Sequence, residues 1–493
     1  MAHVRVGSES MPLFTLEEVL EITGAKLAPT SLRILHRRGF KRISTDSRQV
    51  RPGDLFIALK GDRFDGHEFV ATACRAGAVG AIVQEGAPVP GLNRLVGASD
   101  TKTKKENPGP LVLNVSDTLR AYQQLAGHHR GRFAIPVVAV TGSNGKTTTK
   151  EMVACVLAAQ WPTMKTEGNL NSQIGVAQTL LRLSKRYQAA VIEMGVDNIG
   201  QTARLSDMVR PTVGIITNIG PDHLEFFGSL DVSAQSKAEL LEWLPEFGTV
   251  VLNADDAYFD HLAAQAHCRV LSFGFSERAD IRAIGLSADG PSGTMVTVRV
   301  PGRVRPLTLR LRVSGRHNVA NALSAVAVGI SLGLTGTTMT RGLAAFRPAA
   351  MRSQVAVWKG VRVLNDCYNA NPASMKAAID LLAERKPAGR AVAVLGDMLE
   401  LGPTAPAFHQ EIGRYVVERG LPILIAVGPL GAHIAEGAKA AGMAPGQIHQ
   451  VPDAEAAAQL VGDLVGPGDA VLVKASRGVH LERVVERLKG GKV

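Results

Sequence analysis

The residues with the clearest chemistry are Thr141-Gly142-Ser143-Asn144-Gly145-Lys146-Thr147-Thr148-Thr149. A glycine-bearing turn followed by a lysine and threonines is a cradle for nucleotide phosphates. Backbone N–H groups at a helix N-terminus attract anions, a lysine in that position reaches the β- and γ-phosphates, and the hydroxyl after it is offered to Mg2+. Lys146 and Thr147 take those two roles here, and Gly142 and Gly145 let the backbone come close. The common Gly-x-x-x-x-Gly-Lys-Ser/Thr pattern asks for glycine at position 140. The chain has Val140, so only the Gly-Lys-Thr half is regular.

Such a turn needs a strand before it and a helix after it. The β-branched run 137–140 suits a buried parallel strand, and 147–158 suits a helix. Further strand-like runs at 135–140, 189–194, 213–219 and 249–253 alternate with helical ones, which predicts a parallel sheet covered by helices. Ligands gather at the carboxyl ends of such strands. Glu193 follows the second run, Asn218 and Asp222-His223 the third, and Asn253, Asp255 and Asp256 the fourth, so one cleft is expected to collect them all.

Each candidate has an ordinary reading beside the chemical one. Glu193 either holds Mg2+ against a triphosphate or is a strand-end glutamate in water. His223 is a metal or substrate ligand, or a structural loop histidine. Lys237 sits in a helical pattern, and spacing alone makes it a solvated helix lysine; its chemical alternatives are a phosphate clamp or, after carbamylation by CO2, a metal ligand. His317-Asn318-Val319-Ala320-Asn321 opens an Ala-rich helix, where the amides read a purine edge or Asn318 caps the helix.

After Arg347-Pro348 the pattern restarts, with strands at 361–366, 391–395, 423–427 and 470–474 and a helix from Pro372. Asp366 is placed for a ribose hydroxyl. Tyr368-Asn369-Ala370-Asn371-Pro372 and the stretch from Gly396-Asp397-Met398 to Gly402 follow strands, either as substrate-facing turns or as common Asx turns. Before residue 134, Thr45-Asp46-Ser47-Arg48 precedes a Pro52-Gly53 turn, an alternating strand and Asp65-Gly66-His67. Ser47 and Arg48 bind a phosphate or ribose, or form a solvated turn. The stretch 97–110, with Lys102, Lys104 and Lys105, reads as a flexible, solvated surface loop.

Composition bounds these readings. A chain of 493 residues implies roughly three domains, and 45% hydrophobic with 20% charged residues is ordinary for a soluble enzyme. No apolar run approaches the roughly 20 residues of a membrane span, and residues 1–10 lack the apolar core of a signal peptide, so the cytoplasm is expected. Cys74, Cys155, Cys268 and Cys367 lack metal-ligand spacing and read as reduced thiols. The 55 basic against 44 acidic residues, net +11, suit a polyanionic substrate, nucleic acid or anionic lipid, or a generally basic proteome. With 4% aromatics and no basic stretch interleaved with rings, the sequence matches no standard nucleic-acid module, and nucleic acid is the weaker expectation.

Taken together, these residues resemble the Mur ligase family, the ATP-dependent amino-acid and peptide ligases that build the peptidoglycan precursor. The turn at 141–147 is similar to the family's central signature, in which the glycine missing at 140 is normally absent. Glu193-Met194-Gly195, Asp222-His223-Leu224, the Lys237 helix and His317-Asn318 with Asn321 fall in the family's order. The Tyr368 to Pro372 turn after Asp366, the stretch 396–402 and Thr45-Asp46-Ser47-Arg48 look like the branch that adds D-alanyl-D-alanine to UDP-N-acetylmuramoyl-tripeptide.

The resemblance implies an α/β protein of three domains. A small N-terminal domain (1–134) binds the UDP end of the substrate. A central P-loop domain with a mostly parallel sheet (135–346) binds ATP and Mg2+. A C-terminal Rossmann-like domain (347–493) binds the dipeptide and closes on ATP. It also implies transfer of the γ-phosphate to the tripeptide carboxylate, followed by attack of the dipeptide amine. ATP contacts fall on residues 141–148, Asn318, Asn321, Arg352 and Asp366; the metal on Thr147, Glu193, His223 and carbamylated Lys237; the peptide substrate on Asn169, Asn171, Tyr368, Asn369 and Asn371. Ser172 stands where the family usually has a second asparagine. No nucleic acid, no membrane span and a monomer complete the expectation. The alternatives are another Mur-type or folylpolyglutamate-type amide ligase, and a basic nucleotide-binding regulatory protein.

Overall fold

Runs of β-branched residues buried on both faces build the sheets. The computed structural model describes residues 12–28, 39–61, 64–91, 110–290, 293–384 and 387–490. The chain divides into two compact units, one of Met1–Ala134 with Gln173–Leu183 and one of Ile135–Ser172 with Ser184–Val493.

In the first unit a five-stranded sheet runs in the order Lys26–Leu27, Leu111–Val115, Gly80–Gln84, Asp54–Ile57, Arg42–Ser44. It is parallel except for the Lys26–Leu27 edge. The strand Asp54–Ile57 is buried along its whole length, not alternating as its sequence suggested, because strands flank it on both sides. Asp54 is tolerated there because Arg42 pairs with it at 2.6 Å and the Arg51 N–H donates to it at 2.8 Å. The anticipated loop at 97–109, with Lys102, Lys104 and Lys105, lies outside the described residues.

The second unit carries two sheets among the described residues. The nine-stranded one runs Leu307–Leu311, Gly293–Arg299, Ile281–Asp289, Arg269–Gly274, Thr249–Asn253, Val213–Ile216, Val137–Thr141, Ala189–Glu193, Thr163–Lys165. The strand before the phosphate turn is third from one edge, flanked by parallel strands on both sides, and Val137, Val138, Ala139 and Val140 are fully buried. A fully buried valine or leucine contributes on the order of 1.5–3 kcal/mol, so this strand is among the most firmly held. The Ala-rich helix Arg316–Ser331 packs against the helix Lys146–Ala158 over the same core, its small side chains permitting close approach.

The α/β class and the mostly parallel sheet are borne out. One end departs from them: Ile281–Asp289, Gly293–Arg299 and Leu307–Leu311 are antiparallel. Leu307, Leu309 and Leu311 are buried while Thr308 and Arg310 are exposed, the signature of a sheet with one wet face. A search for continuous apolar runs passes over such strands.

The six-stranded sheet runs Gln354–Trp358, Val361–Asn365, Ala470–Lys474, Ala391–Gly396, Ile423–Val427, Ile448–Val451, parallel but for its first pair. The helix Pro372–Glu384 starts at the expected proline, whose fixed φ suits a first helical turn. The four cysteines are free thiols.

Candidate active site

The phosphate turn is shaped by two glycines. Gly142 and Gly145 have φ of +127° and +80°, and a Cβ would stand 2.1 Å from Thr217 Oγ1 at the first and 2.5 Å from Asn321 Oδ1 at the second. Only glycine fits either place. The Ser143 and Asn144 N–H groups donate to the Asn218 backbone carbonyl and side-chain Oδ1 at 2.9 and 3.0 Å. Asn218 therefore holds the turn rather than a ligand. The first-turn N–H groups of Lys146–Ala158, which have no intrahelical acceptor, remain as anion donors. Lys146 Nζ folds back to the Gly142 and Ser143 carbonyls at 2.5 and 3.1 Å.

Next to it lies a carboxylate with one oxygen hydrogen-bonded and the other held only by an ion pair. Glu193 Oε1 accepts from the Thr147 hydroxyl and from Asn171 Nδ2, each at 2.9 Å. Glu193 Oε2 is buried without a hydrogen-bond partner. A buried carboxylate that keeps one oxygen out of any hydrogen bond, next to the Thr147 hydroxyl, fits Mg2+. Among the described residues no three of His, Cys, Asp and Glu converge as a cation cage, so phosphate and water must complete any coordination shell.

Lys237 is fully buried, which overturns the solvated-lysine reading: its helix, Leu230–Glu242, buries the side that carries Ser233, Ser236 and Lys237. Its Nζ lies 2.6 Å from Ser233 Oγ, 3.3 Å from Asp222 Oδ1 and 4.7 Å from the Phe227 ring centre. Burial pushes its pKa down to about 8, against the opposing pull of Asp222. Burial works to raise the Asp222 carboxyl, yet Lys237 and Lys146 together hold it below the usual range. His223, in the left-handed region at φ +51°, brings Nδ1 to 2.6 Å from Glu400 Oε2. The contact is close but does not have the alignment of a hydrogen bond. The neighbouring imidazole holds the Glu400 carboxyl below its ordinary range.

The six-stranded sheet supplies the opposite wall. Asp366 Oδ1 accepts from the Ser353 N–H at 2.7 Å and the Ser353 hydroxyl at 3.3 Å, and its Oδ2 from Lys474 Nζ at 2.6 Å; Oδ2 keeps a lone pair for a ribose hydroxyl. Lys474 also donates to the Asn369 carbonyl at 2.8 Å. Arg352 lies between two left-handed residues, Met351 and Ser353, and its guanidinium stacks 3.9 Å from the Tyr368 ring centre. Asn371 Nδ2 donates to Asn144 Oδ1 at 2.8 Å, linking this wall to the phosphate turn.

One cleft of about 650 Å³ in the second unit is lined by Lys146, Glu193, His223, Arg352, Asp366 and Asn371, and also by Thr148, Asn169, Asn171, Asn318, Asn321, Tyr368 and Asn369. Several expectations change. Asp255 and Asp256 do not line it: Asp255 accepts from the Phe275 and Ser276 N–H groups, and Asp256 from those of Ile219 and Tyr258. Asn318 is not the helix cap, a place taken by Gly315; its Nδ2 donates to the Ser314 carbonyl. Asn321 Oδ1 accepts from Thr149 beneath the phosphate turn. On the first unit, Ser47 opens a single 3-10 turn capped by Asp46, which also pairs with the exposed Arg48 at 2.9 Å. Two residues were given no role by the sequence reading, Lys474, which lines the cleft, and the buried Lys150 behind it, whereas Glu400 lies in the stretch 396–402 already singled out. Lys474 ends a strand, and Lys150 stands one helical turn after Lys146, so both carried a usable signal.

Comparison with known proteins matches the chain to three family models. The Mur ligase middle domain model matches residues 140–329, the glutamate ligase domain model of Mur ligases residues 351–477, and the Mur ligase family catalytic domain model residues 39–130. The chain belongs to the Mur ligase family. One family member, the UDP-N-acetylmuramoyl-tripeptide--D-alanyl-D-alanine ligase of Bacillus subtilis, is 34% identical over 90% of this chain and 92% of its own length. Among solved Mur ligase structures, MurF from Acinetobacter baumannii has a TM-score of 0.86 at 31% identity, covering 97% of this chain and 99% of its own. MurF ligase from Thermotoga maritima in complex with ADP has a TM-score of 0.78 at 29% identity, covering 91% and 97%.

Proposed function

We propose that this chain is an ATP-dependent ligase that adds D-alanyl-D-alanine to UDP-N-acetylmuramoyl-tripeptide, releasing ADP and phosphate and forming UDP-N-acetylmuramoyl-pentapeptide for peptidoglycan. One observation carries the reading. The phosphate turn with Lys146, and the Tyr368-Asn369-Ala370-Asn371 turn, line a single cleft and are joined by the Asn371–Asn144 hydrogen bond. The names and near-complete coverage of the relatives support it.

The reaction brings a carboxylate to a triphosphate, two groups of like charge. Lys146 and the helix N-terminus oppose that repulsion at the γ-phosphate, and Arg352 adds a second cation from the other wall. Thr147, Glu193 and His223 are the residues that would hold Mg2+, with Lys237 if carbamylated, and the ion would supply further charge neutralisation. Asn318 and Asn321 are assigned to the purine and Asp366 to the ribose. Asn169, Asn171, Tyr368, Asn369 and Asn371 are assigned to the peptide. Once the tripeptide carboxylate carries phosphate, the dipeptide amine displaces it.

In this reading residues 1–134, with Ser47 and Arg48, take the UDP end, 135–346 bind ATP, and 347–493 take the dipeptide and close on ATP. The enzyme acts as a cytoplasmic monomer. Among the described residues no helix is long and apolar enough to cross a membrane.

The test is ADP release from ATP with UDP-N-acetylmuramoyl-tripeptide, run with and without D-alanyl-D-alanine, using tripeptides ending in meso-diaminopimelate and in lysine. Dipeptide-dependent ADP release is expected with one of them. No release with either, together with steeply salt-dependent DNA or RNA binding, would replace the reading with a nucleic-acid one.

A further inference from the structure

The side chain of Lys150 is fully buried and has no part in the reactions above. Its Nζ is ringed by oxygens: the Thr166 carbonyl at 2.9 Å, Glu151 Oε1 at 3.1 Å, the Gly168 carbonyl at 3.4 Å and Glu193 Oε2 at 3.5 Å. Thr166 is a second link to the same carboxylate residue, since its hydroxyl accepts from the Glu193 N–H at 3.0 Å. Glu193 in turn receives Asn171 Nδ2 at 2.9 Å. One ammonium therefore joins three parts of the cleft: the helix that carries the phosphate turn, the carboxylate at the end of Ala189–Glu193, and the segment 166–171 bearing Asn169 and Asn171.

A buried ion pair is a weak device for stability, because desolvation offsets most of the attraction. An apolar residue in this place would leave the Thr166 and Gly168 carbonyls without their donor. The partners also differ from those of a purely structural pair. Glu193, Asn169 and Asn171 all line the cleft, and the Lys150 ammonium lies beside the one Glu193 oxygen that no hydrogen bond occupies.

We infer that Lys150 is a positioning residue that sets Glu193 Oε2 and the segment 166–171 for the peptide-bearing nucleotide whose carboxylate is activated. The inference rests on the ligase reading. Lys150 acts through Glu193 and Asn171 and touches no reacting atom. Its loss should weaken the peptide substrate and the divalent cation together, and leave ATP largely unaffected once the cation is saturating.

The test uses the full chain with Lys150→Met, which keeps the stem and removes the charge, and Lys150→Gln, which keeps one donor for the carbonyls. In either folded variant the KM for UDP-N-acetylmuramoyl-tripeptide and the Mg2+ concentration for half-activation should rise by about 10- to 100-fold, the usual effect of removing a supporting partner. The KM for ATP at saturating Mg2+ should stay within about twofold. A second readout needs no turnover: without ATP or Mg2+, amide hydrogen exchange should quicken at 166–171 and not in the strands Val137–Thr141 or Val213–Ile216. Uniform loss across all kinetic constants, unchanged exchange at 166–171, or failure of both variants to fold would make Lys150 a packing residue and overturn the inference. Absence of ADP release by the unmodified enzyme would instead remove the ligase reading, and the exchange arm would still decide the role of Lys150.

Discussion

Asn371 Nδ2 donates to Asn144 Oδ1 at 2.8 Å, tying the turn ahead of Pro372–Glu384 to the phosphate turn of the other sheet. The bond has two neutral partners, and such bonds contribute about 0.5–1.5 kcal/mol net. Asn371→Ala and Asn144→Ala should each lower kcat/KM by about 2- to 10-fold, and the double variant should lose less than the product of the two. Strict multiplicativity in that cycle would show that the two amides act separately.

Lys146→Ala removes a point charge from the transferring phosphate, while the turn keeps its pins through Asn218 and Thr217. We expect kcat to fall on the order of 100-fold or more, with the circular dichroism spectrum and melting temperature nearly unchanged. Near-normal turnover in the folded variant would remove Lys146 from the phosphate site.

For Glu193→Gln, the side chain loses the charge that faces the Thr147 hydroxyl at Oε1 and the Lys150 ammonium at Oε2. The Mg2+ concentration for half-maximal activity should rise by at least about 10-fold. An unchanged Mg2+ titration would mean that the ion is held elsewhere.

Lys237 gives a pH dependence with a definite sign. Its amine has a pKa of about 8 in the folded chain against 10.5 ordinarily, so between those values the unfolded chain holds the extra proton. Stability therefore rises with pH across that window, and below about 8 the penalty for a buried ammonium is present in full. With CO2 excluded, the denaturation midpoint should climb from pH 8 to 10, and Lys237→Met should flatten that climb.

The same amine should take up CO2 more readily as pH passes through about 8, since only the neutral form reacts. We expect a 13C carbamate signal from labelled bicarbonate that is lost in Lys237→Ala, and activity of that variant to collapse and be partly rescued by short carboxylates. Full activity of Lys237→Ala would end the metal-bridging role.

Much of this site was legible because its signals are local. Gly142, Gly145, Lys146 and Thr147 lie within six positions, and Glu193, His223 and Asp366 each stand at or just past a strand end, where sheet topology gathers ligands. What escaped depends on contacts between distant parts of the chain. Helical spacing identified the face of Leu230–Glu242 that is apolar, but not that Phe227 and Asp222 cover Lys237. Asp255 and Asp256 sit at the right sheet edge, yet backbone N–H groups of neighbouring turns claim them. The strands Gly293–Arg299 and Leu307–Leu311 alternate instead of running apolar, because one face meets water.

Arg352 has no ion pair among the described residues; it rests on the face of Tyr368. A guanidinium resting on a ring keeps its full charge and its donors uncommitted, and leaving a half-buried ring such as that of Tyr368 costs only on the order of 1 kcal/mol. The arm is thus a lightly latched counterweight. In the ligase reading, an incoming polyphosphate would recruit it at little expense, and a nucleotide with fewer phosphates would leave it where it lies.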